Sequence, residues 1–477
     1  MKSLIEKIRE FQKLSSQLEP TKKERDNYLM EVNDYTNSFL KNLEDAKTYC
    51  GKKEIEDIMV IDGKRKSIEE ILGLYRDEVV EKGIKPASAG HIGYIPGGGI
   101  YTSALADYLA DVTNVFSGIY YASPGAVAIN HALIDWMKDI FSFPKTAVGN
   151  LTSGGSIANL IALTAARDKH KIKSGLIEKS VIYLSEQVHH CIYKAIRIIG
   201  LEDVIIRHLE LDENSRIKVG FLKQKISEDK NNGLNPFLII ASAGTTDTGA
   251  IDPLESIGKI AKEHNLWYHV DGAYGGFFIL TESRKDSFKG IEMADSLVVD
   301  PHKGLFLPYG LGAVLVKDRE AVLHSNHYFA NYMQDAMDEN NLLSPADLSP
   351  ELTRPFRALR LWIPLQLHGI EPFIACLEEK LLLTEYFRHK LVELGFKLGP
   401  DPDLSVSYFW YPSKDMEENM YNKKLMEAIH QDGEIFLSST TIKGKFVIRM
   451  AILSFRTKIH TIDKTIAMIK RTMEEIG

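Results

Sequence analysis

Two spacings of apolar residues divide the chain. Over residues 1 to about 50, Tyr28, Val32, Tyr35, Phe39 and Leu43 recur at helical intervals in a Lys- and Glu-rich background, which predicts an amphipathic helix with one apolar stripe. That stripe needs a surface to cover, on its own subunit or on a second one. From about Leu105 to Glu320, short β-rich runs alternate with helical stretches. The runs are VIYLS at 181–185, FLIIASAG at 237–244, LWYHVD at 266–271 and SLVVD at 296–300, and the helical stretches include IANLIALTAARDKH and SIGKIAKEHN. Such alternation predicts βα units on a largely parallel sheet covered on both faces. Residues 344–360 contain three prolines and a basic cluster and read as a connector. Beyond it, helix EEKLLLTEYFRHKLVELG, strand SVSYFWYP, helix KKLMEAIHQDG and strand KFVIRMAIL form an α+β subdomain. The expected division is therefore 1–104, 105–360 and 361–477.

A chain of 477 residues, 44% of them hydrophobic, has material for two or three packed subdomains. The net charge of -7 offers no basic field to a nucleic acid backbone, which leaves a small molecule as the default partner. Cys50, Cys191 and Cys376 form no CxxC pair, which argues against a disulfide framework or structural zinc and fits a reducing cytoplasm. The start, MKSLIEKIREFQK, has no continuous apolar core of the export type, and no run of about 18 apolar residues predicts a membrane span.

Candidate chemistry sits where the runs end, because ligands of such sheets bind beyond the carboxyl ends of the strands. Thr152, Ser153, Gly154, Gly155 and Ser156 directly precede a helix. Small residues there admit backbone N–H groups to a phosphate, and they serve equally as a plain N-cap with a glycine turn. Asp271 closes LWYHVD and precedes Gly272, Ala273 and Tyr274; it suits either a protonated pyridine nitrogen or an ordinary turn. SLVVD runs into Pro301, His302, Lys303 and Gly304. Burial is expected to lower the Lys303 pKa so that a neutral amine can form an imine, with an outward-snorkelling lysine as the alternative. His189 follows VIYLSEQ, where an imidazole either stacks on a flat ring or is structural; with His190 beside it the pair matches no common zinc spacing, and no metal is expected.

In combination, the glycine-rich turn, histidine, aspartate and lysine, each at a strand end, resemble the group II pyridoxal-dependent decarboxylases, the family of aromatic-amino-acid, histidine and glutamate decarboxylases. The resemblance runs from about residue 25 to the end. It includes HIGYIPGGGIY at 91–101, ASPGAV at 122–127, SEQVHHCIYKA at 185–195, ASAGTTDTGAID at 241–252, HVDGAYGG at 269–276, DPHK at 300–303, RPFRALRLW at 354–362 and FVIRMAILSFRT at 446–457.

This resemblance implies an α/β PLP-dependent transferase fold of the aspartate aminotransferase type (fold type I), with a mainly parallel central sheet, an N-terminal helical segment and a C-terminal α+β subdomain. It implies pyridoxal 5'-phosphate (PLP) as cofactor, held in the 105–360 domain as a Schiff base on Lys303. Asp271 is then the partner of the pyridine nitrogen, His189 stacks on one ring face and Ala273 packs on the other. Gly155, Ser156, Thr246 and His302 match positions near the phosphate or ring, and Asp300 stands at a phosphate-side position often filled by Asn. Tyr94, Pro96 and Tyr101 are the implied substrate contacts, although Gly97, Gly98 and Gly99 depart from the family's usual Pro-Thr or Pro-Ala. Tyr332 is the implied Cα proton donor on a closing loop; relatives with phenylalanine there resemble oxidative aldehyde synthases. The implied reaction is loss of carbon dioxide from an L-amino acid, aromatic in first place and acidic as the alternative, in a homodimer whose active site lies at the subunit boundary.

Other readings predict different behaviour. A lyase acting on sphingoid-base phosphates shares the strand-end Asp and His-Lys pair but not RPFRALRLW. A non-enzymatic binding protein has no need of Lys303, Asp271 and His189 together. A nicotinamide enzyme calls for a GxGxxG after an early strand, and none is present.

Overall fold

A computed structural model describes residues 1–51, 61, 63–326 and 343–476. Its centre is a seven-stranded sheet of β1 (Val148–Thr152), β2 (Ser180–Ser185), β3 (Ile205–Leu209), β4 (Asn235–Ser242), β5 (Trp267–Gly272), β6 (Ser296–Val299) and β7 (Gly312–Val316). The order is β1-β7-β6-β5-β4-β2-β3. Only β7 runs against its neighbours; the pairs from β6 across to β3 are parallel. The apolar runs exist because both sheet faces are covered: Val181, Tyr183, Ile239, Ala241, Leu297 and Val299 enter one core, while Ile182, Leu184, Leu238, Ile240 and Val298 enter the other. Helix α4 (Gly155–Lys169) covers the second face, and helices Pro124–Ile140 and Leu254–His264 the first.

All four expected runs are strands of this sheet. Of the three further strands, β1 was implied by the glycine-rich turn expected at a strand end, whereas the edge strand β3 and the antiparallel β7 were not anticipated. A second sheet, antiparallel throughout, consists of Lys397–Leu398, Val406–Trp410, Ser438–Ile442 and Lys445–Ala451, and its core is closed by helices Glu371–Glu393, Glu418–Asp432 and Ile459–Ile476. The segment at 91–93 ties into it: Ile92 N–H donates to the Phe436 carbonyl at 3.1 Å, and the Ile92 carbonyl accepts from Ala451 N–H at 2.7 Å.

The expected junctions fall inside helices. Position 104/105 lies in α3 (Tyr101–Thr113) and 360/361 in α5 (Leu359–His368), and Arg360 of α5 binds Asp107 of α3 with its Nε at 2.9 Å. The chain turns toward the second sheet after His368, at Gly369 with φ +67°. Nor is the 344–360 stretch a loose connector: buried Arg354 donates to Asn150 Oδ1 at 2.7 Å and Asn130 Oδ1 at 2.8 Å, pinning it to β1. The N-terminal region is two helices, α1 (Lys2–Ser15) and α2 (Lys22–Asn42), neither of which contains a buried residue; Tyr28, Val32, Tyr35 and Phe39 of the stripe lie on α2, and Leu43, just beyond it, is buried.

Candidate active site

The carboxyl ends of β1, β2, β4, β5 and β6 open on one cavity of about 380 Å³. Gly155, Ser156, His189, Thr246, Asp271, Ala273, Asp300, His302 and Lys303 all line it. Strands running in one direction bring together side chains that lie more than a hundred residues apart in the chain.

One end is built from backbone. Helix α4 starts at Gly155 with no side-chain cap, so N–H groups of its first turn are left for a ligand, at the positive end of the helix. A Cβ on Gly155 would stand 3.1 Å from Asp300 Oδ2 and 3.2 Å from Ala273 Cβ, and one on Gly154 would stand 3.3 Å from His302 Cε1. Glycine therefore keeps the cradle open. His302 donates from Nδ1 to the Leu311 carbonyl at 2.6 Å, and burial holds its pKa below the usual range, so its bare Nε2 is an acceptor. Asp300 is 1% exposed and its Oδ1 has no hydrogen-bond partner among the described residues.

The other end is set by Asp271. Its Oδ1 accepts from Ala273 N–H at 3.0 Å and its Oδ2 from Asn159 Nδ2 at 3.1 Å. Donors of this kind stabilise the carboxylate and leave lone pairs for a cationic ring N–H. His189 accepts from Cys191 N–H at Nδ1 (3.3 Å), which places its own hydrogen on Nε2; burial, with the neighbouring His190, lowers its pKa.

Lys303 departs from expectation. Burial does push against its charge, but the Asp300 carboxylate at 2.9 Å, its hydrogen bond and Asp271 outweigh burial, and the net effect is a raised pKa. The expected neutral amine is thus corrected to an ammonium, because the turn Pro301–Gly304 brings residues 300 and 303 face to face.

Tyr94, Pro96 and Tyr101 are not brought to the cavity. Tyr94 and Tyr101 are 55% and 43% exposed on the single chain, and Pro96 is buried. Here the glycines apply backbone: a Cβ on Gly97 would meet the His302 carbonyl at 2.5 Å and Phe306 Cα at 2.9 Å, so the segment seals the back of the Lys303 turn. Tyr332 lies outside the described residues. Asn159, Gln187, Cys191 and Tyr274 also line the cavity and were not anticipated. Asn159 alone left a signal, an amide within the otherwise apolar run IANLIAL at 157–163. Among the described residues no group of three or more His, Cys, Asp or Glu is arranged to hold a metal.

These residues fit a pyridine ring bearing an aldehyde and a phosphate: an amine for the aldehyde, a hydrogen-bonded carboxylate for the ring nitrogen, and a glycine-opened helix end for the phosphate. The unpartnered Asp300 oxygen and the bare His302 Nε2 are both acceptors, so each needs an added hydrogen beside a phosphate. Comparison with known proteins agrees. Residues 59–411 match the pyridoxal-dependent decarboxylase conserved domain. An aromatic-L-amino-acid decarboxylase of Bacillus atrophaeus is 34% identical over 394 residues, 81% of each chain. A phenylacetaldehyde synthase of Arabidopsis thaliana is 30% identical over 369 residues, 73% of this chain and 75% of that one. The crystal structure of Oryza sativa TDC with PLP and tryptamine superposes with a TM-score of 0.90 at 21% identity, covering 96% of this chain and 99% of the other, and shares the fold.

Proposed function

The chain belongs to the pyridoxal-dependent decarboxylase family, and from that premise we propose that it removes the α-carboxylate of an aromatic L-amino acid to give the amine and carbon dioxide. The observation that carries the reading is the meeting of Lys303, Asp271 and His189, from three strand ends, over a glycine-opened helix. Bound there, pyridoxal phosphate supplies an aldehyde for amines and a sink for the electrons left at Cα when carbon dioxide departs.

Gly155 and Ser156, with Thr246 nearby, would hold the phosphate, His302 joining them only once its Nε2 takes a proton, and Asp271 would hold the ring nitrogen. His189 and Ala273 would bound the two ring faces. Lys303 is kept as an ammonium by Asp300, so its Nζ has to release a proton before it acts as a nucleophile, and Asp300 Oδ2 at 2.9 Å is placed to receive it. Return of a proton to Cα needs a donor, and Tyr332 is our candidate for it. The aromatic class rests on the relatives, since no described side chain fixes the substrate's own.

We further infer a homodimer. A compact monomer of this mass would expose about 18,000 Å². This chain exposes 24281 Å², with Leu105, Tyr108, Leu109 and Val112 outward on α3 and Leu4, Ile8 and Phe11 on α1. A second copy covering these faces would also cover Tyr101, exposed at the start of α3. The three free cysteines are in keeping with a reducing compartment, and no described helix is long and apolar enough to cross a membrane.

The likeness to a phenylacetaldehyde synthase favours a second reading, in which the same cavity consumes oxygen and releases an aldehyde. Incubating PLP-loaded protein with L-tryptophan, L-tyrosine, L-phenylalanine and L-glutamate, with mass spectrometry of products and an oxygen electrode, separates the two. Amine without oxygen uptake supports decarboxylation, aldehyde with oxygen uptake the second reading, and no turnover of any aromatic substrate defeats both.

A further inference from the structure

Behind Asp271, four buried polar side chains stand in single file. Trp267 Nε1–H donates to Ser296 Oγ at 2.8 Å, and Ser296 Oγ lies 2.8 Å from His269 Nδ1. His269 Nε2 lies 2.7 Å from Asn159 Oδ1, and Asn159 Nδ2 donates to Asp271 Oδ2 at 3.1 Å. Ser296, His269 and Asn159 are fully buried and Trp267 is 3% exposed.

The ends of the file assign every hydrogen. A carboxylate only accepts, so Asn159 turns its nitrogen to Asp271 and its oxygen to His269, whose Nε2 then carries a hydrogen. Burial pushes the His269 pKa down to about 4; the ring is neutral, Nδ1 is bare, and it takes the Ser296 hydrogen. Trp267, which only donates, supplies what the Ser296 oxygen accepts. All these hydrogens point toward Asp271. The second hydrogen of Asn159 Nδ2 has Cys191 Sγ at 3.5 Å, so the amide has no spare donor with which to turn over.

Stability does not call for this arrangement. Neighbouring positions on the same sheet face, Leu238, Ile240 and Val298, are aliphatic, and buried polar files hold no general advantage over apolar packing. What the file does provide is a fixed direction. We propose that Trp267, Ser296, His269 and Asn159 are positioning residues that hold Asp271 as an ionised, acceptor-only carboxylate and thereby keep the cofactor's ring nitrogen protonated. Hydrogen bonds donated to a carboxylate favour its charged form, so a proton shared with a pyridine nitrogen settles on the nitrogen. The inference rests on the reading that Asp271 faces that nitrogen.

The test reconstitutes the protein with PLP carrying ¹⁵N in the ring, reads the nitrogen by NMR, and measures the cofactor dissociation constant by titration. Wild type should show a protonated nitrogen. His269→Gln retains an N–H donor where Nε2 stood and should match it. His269→Leu and Asn159→Leu should move the signal toward unprotonated pyridine and weaken cofactor binding roughly tenfold. If His269→Leu keeps the wild-type nitrogen signal and affinity, the file is structural only and the proposal is wrong. Should His269→Leu not fold, Ser296→Ala deletes a single hydroxyl and is judged by the same criterion. An unprotonated nitrogen in wild type overturns the Asp271 reading itself, and the proposal with it, whereas a protonated nitrogen lost in Asp271→Asn but unmoved in His269→Leu and Ser296→Ala overturns the proposal alone.

Discussion

Replacing Asp300 by Asn separates charge from shape at the lysine. The amide keeps the volume and one acceptor but removes the charge that Lys303 Nζ meets at 2.9 Å. The two side chains are 2% and 24% exposed, so the pair is poorly screened, and an effective dielectric near 20 gives an attraction of about 6 kcal/mol before desolvation is subtracted. Burial is the largest single influence on Lys303 and works the other way. With the attraction gone burial prevails, and loss of a hydrogen-bonded opposite charge moves such a protonation equilibrium by about tenfold or more. Asp300→Asn should therefore capture an aldehyde at least about tenfold faster at neutral pH. The assay is stopped-flow absorbance with pyridoxal, which lacks the phosphate and so excludes repulsion in the cradle. Because the wild-type lysine is held protonated, its rate should climb with pH throughout the neutral and mildly alkaline range, whereas the variant's rate should begin to level off at a lower pH than wild type's. Equal rates with parallel slopes would show that Asp300 does not control the amine.

Three further outcomes are expected. Gly312→Ala would place a Cβ 2.6 Å from Asp300 Oδ1 and 2.7 Å from the Gly154 backbone, so it should cost about 1–3 kcal/mol and release PLP on gel filtration; an unchanged melting temperature and retained cofactor would contradict the cradle geometry. His91 and His269 are both held near a pKa of about 4 by burial, so the unfolded state binds more protons between that value and about 6.5, and stability should fall as pH falls through this window. Urea midpoints for wild type and His91→Gln check this: the variant should show a shallower acid slope, and an identical slope counts against it. Leu109→Asp with Val112→Asp on α3 should yield a monomer by light scattering, and a particle of unchanged mass would remove that face from the proposed dimer.

The central strands were legible because both sheet faces are buried, which writes β2, β4, β5 and β6 as unbroken apolar runs. The edge strand β3 is half exposed, and β7 follows the Lys303 turn so closely that GAVLV reads as its continuation. Site residues at strand ends were legible for the same topological reason. The file behind Asp271 was not, because His269, Ser296 and Asn159 acquire meaning only when the sheet and α4 bring them together across about a hundred residues. The Lys303 correction has a local cause: the three-residue spacing of Asp300 and Lys303 already contained the ion pair, and attention to burial alone missed it. Tyr94 and Tyr101 show the opposite limit, since a motif marks closeness along the chain and not the face a side chain takes.

Loss of C1 from an aromatic amino acid at the Lys303 cavity is tested most directly by supplying L-tryptophan, L-tyrosine and L-phenylalanine, each labelled with ¹³C at the carboxylate, to PLP-loaded wild type and to Lys303→Ala, and following the label. From at least one of them wild type should give labelled carbon dioxide and the matching unlabelled amine in equal amounts, with neither from the variant at a comparable rate. Label retained in a keto acid or another organic product of wild type would contradict it.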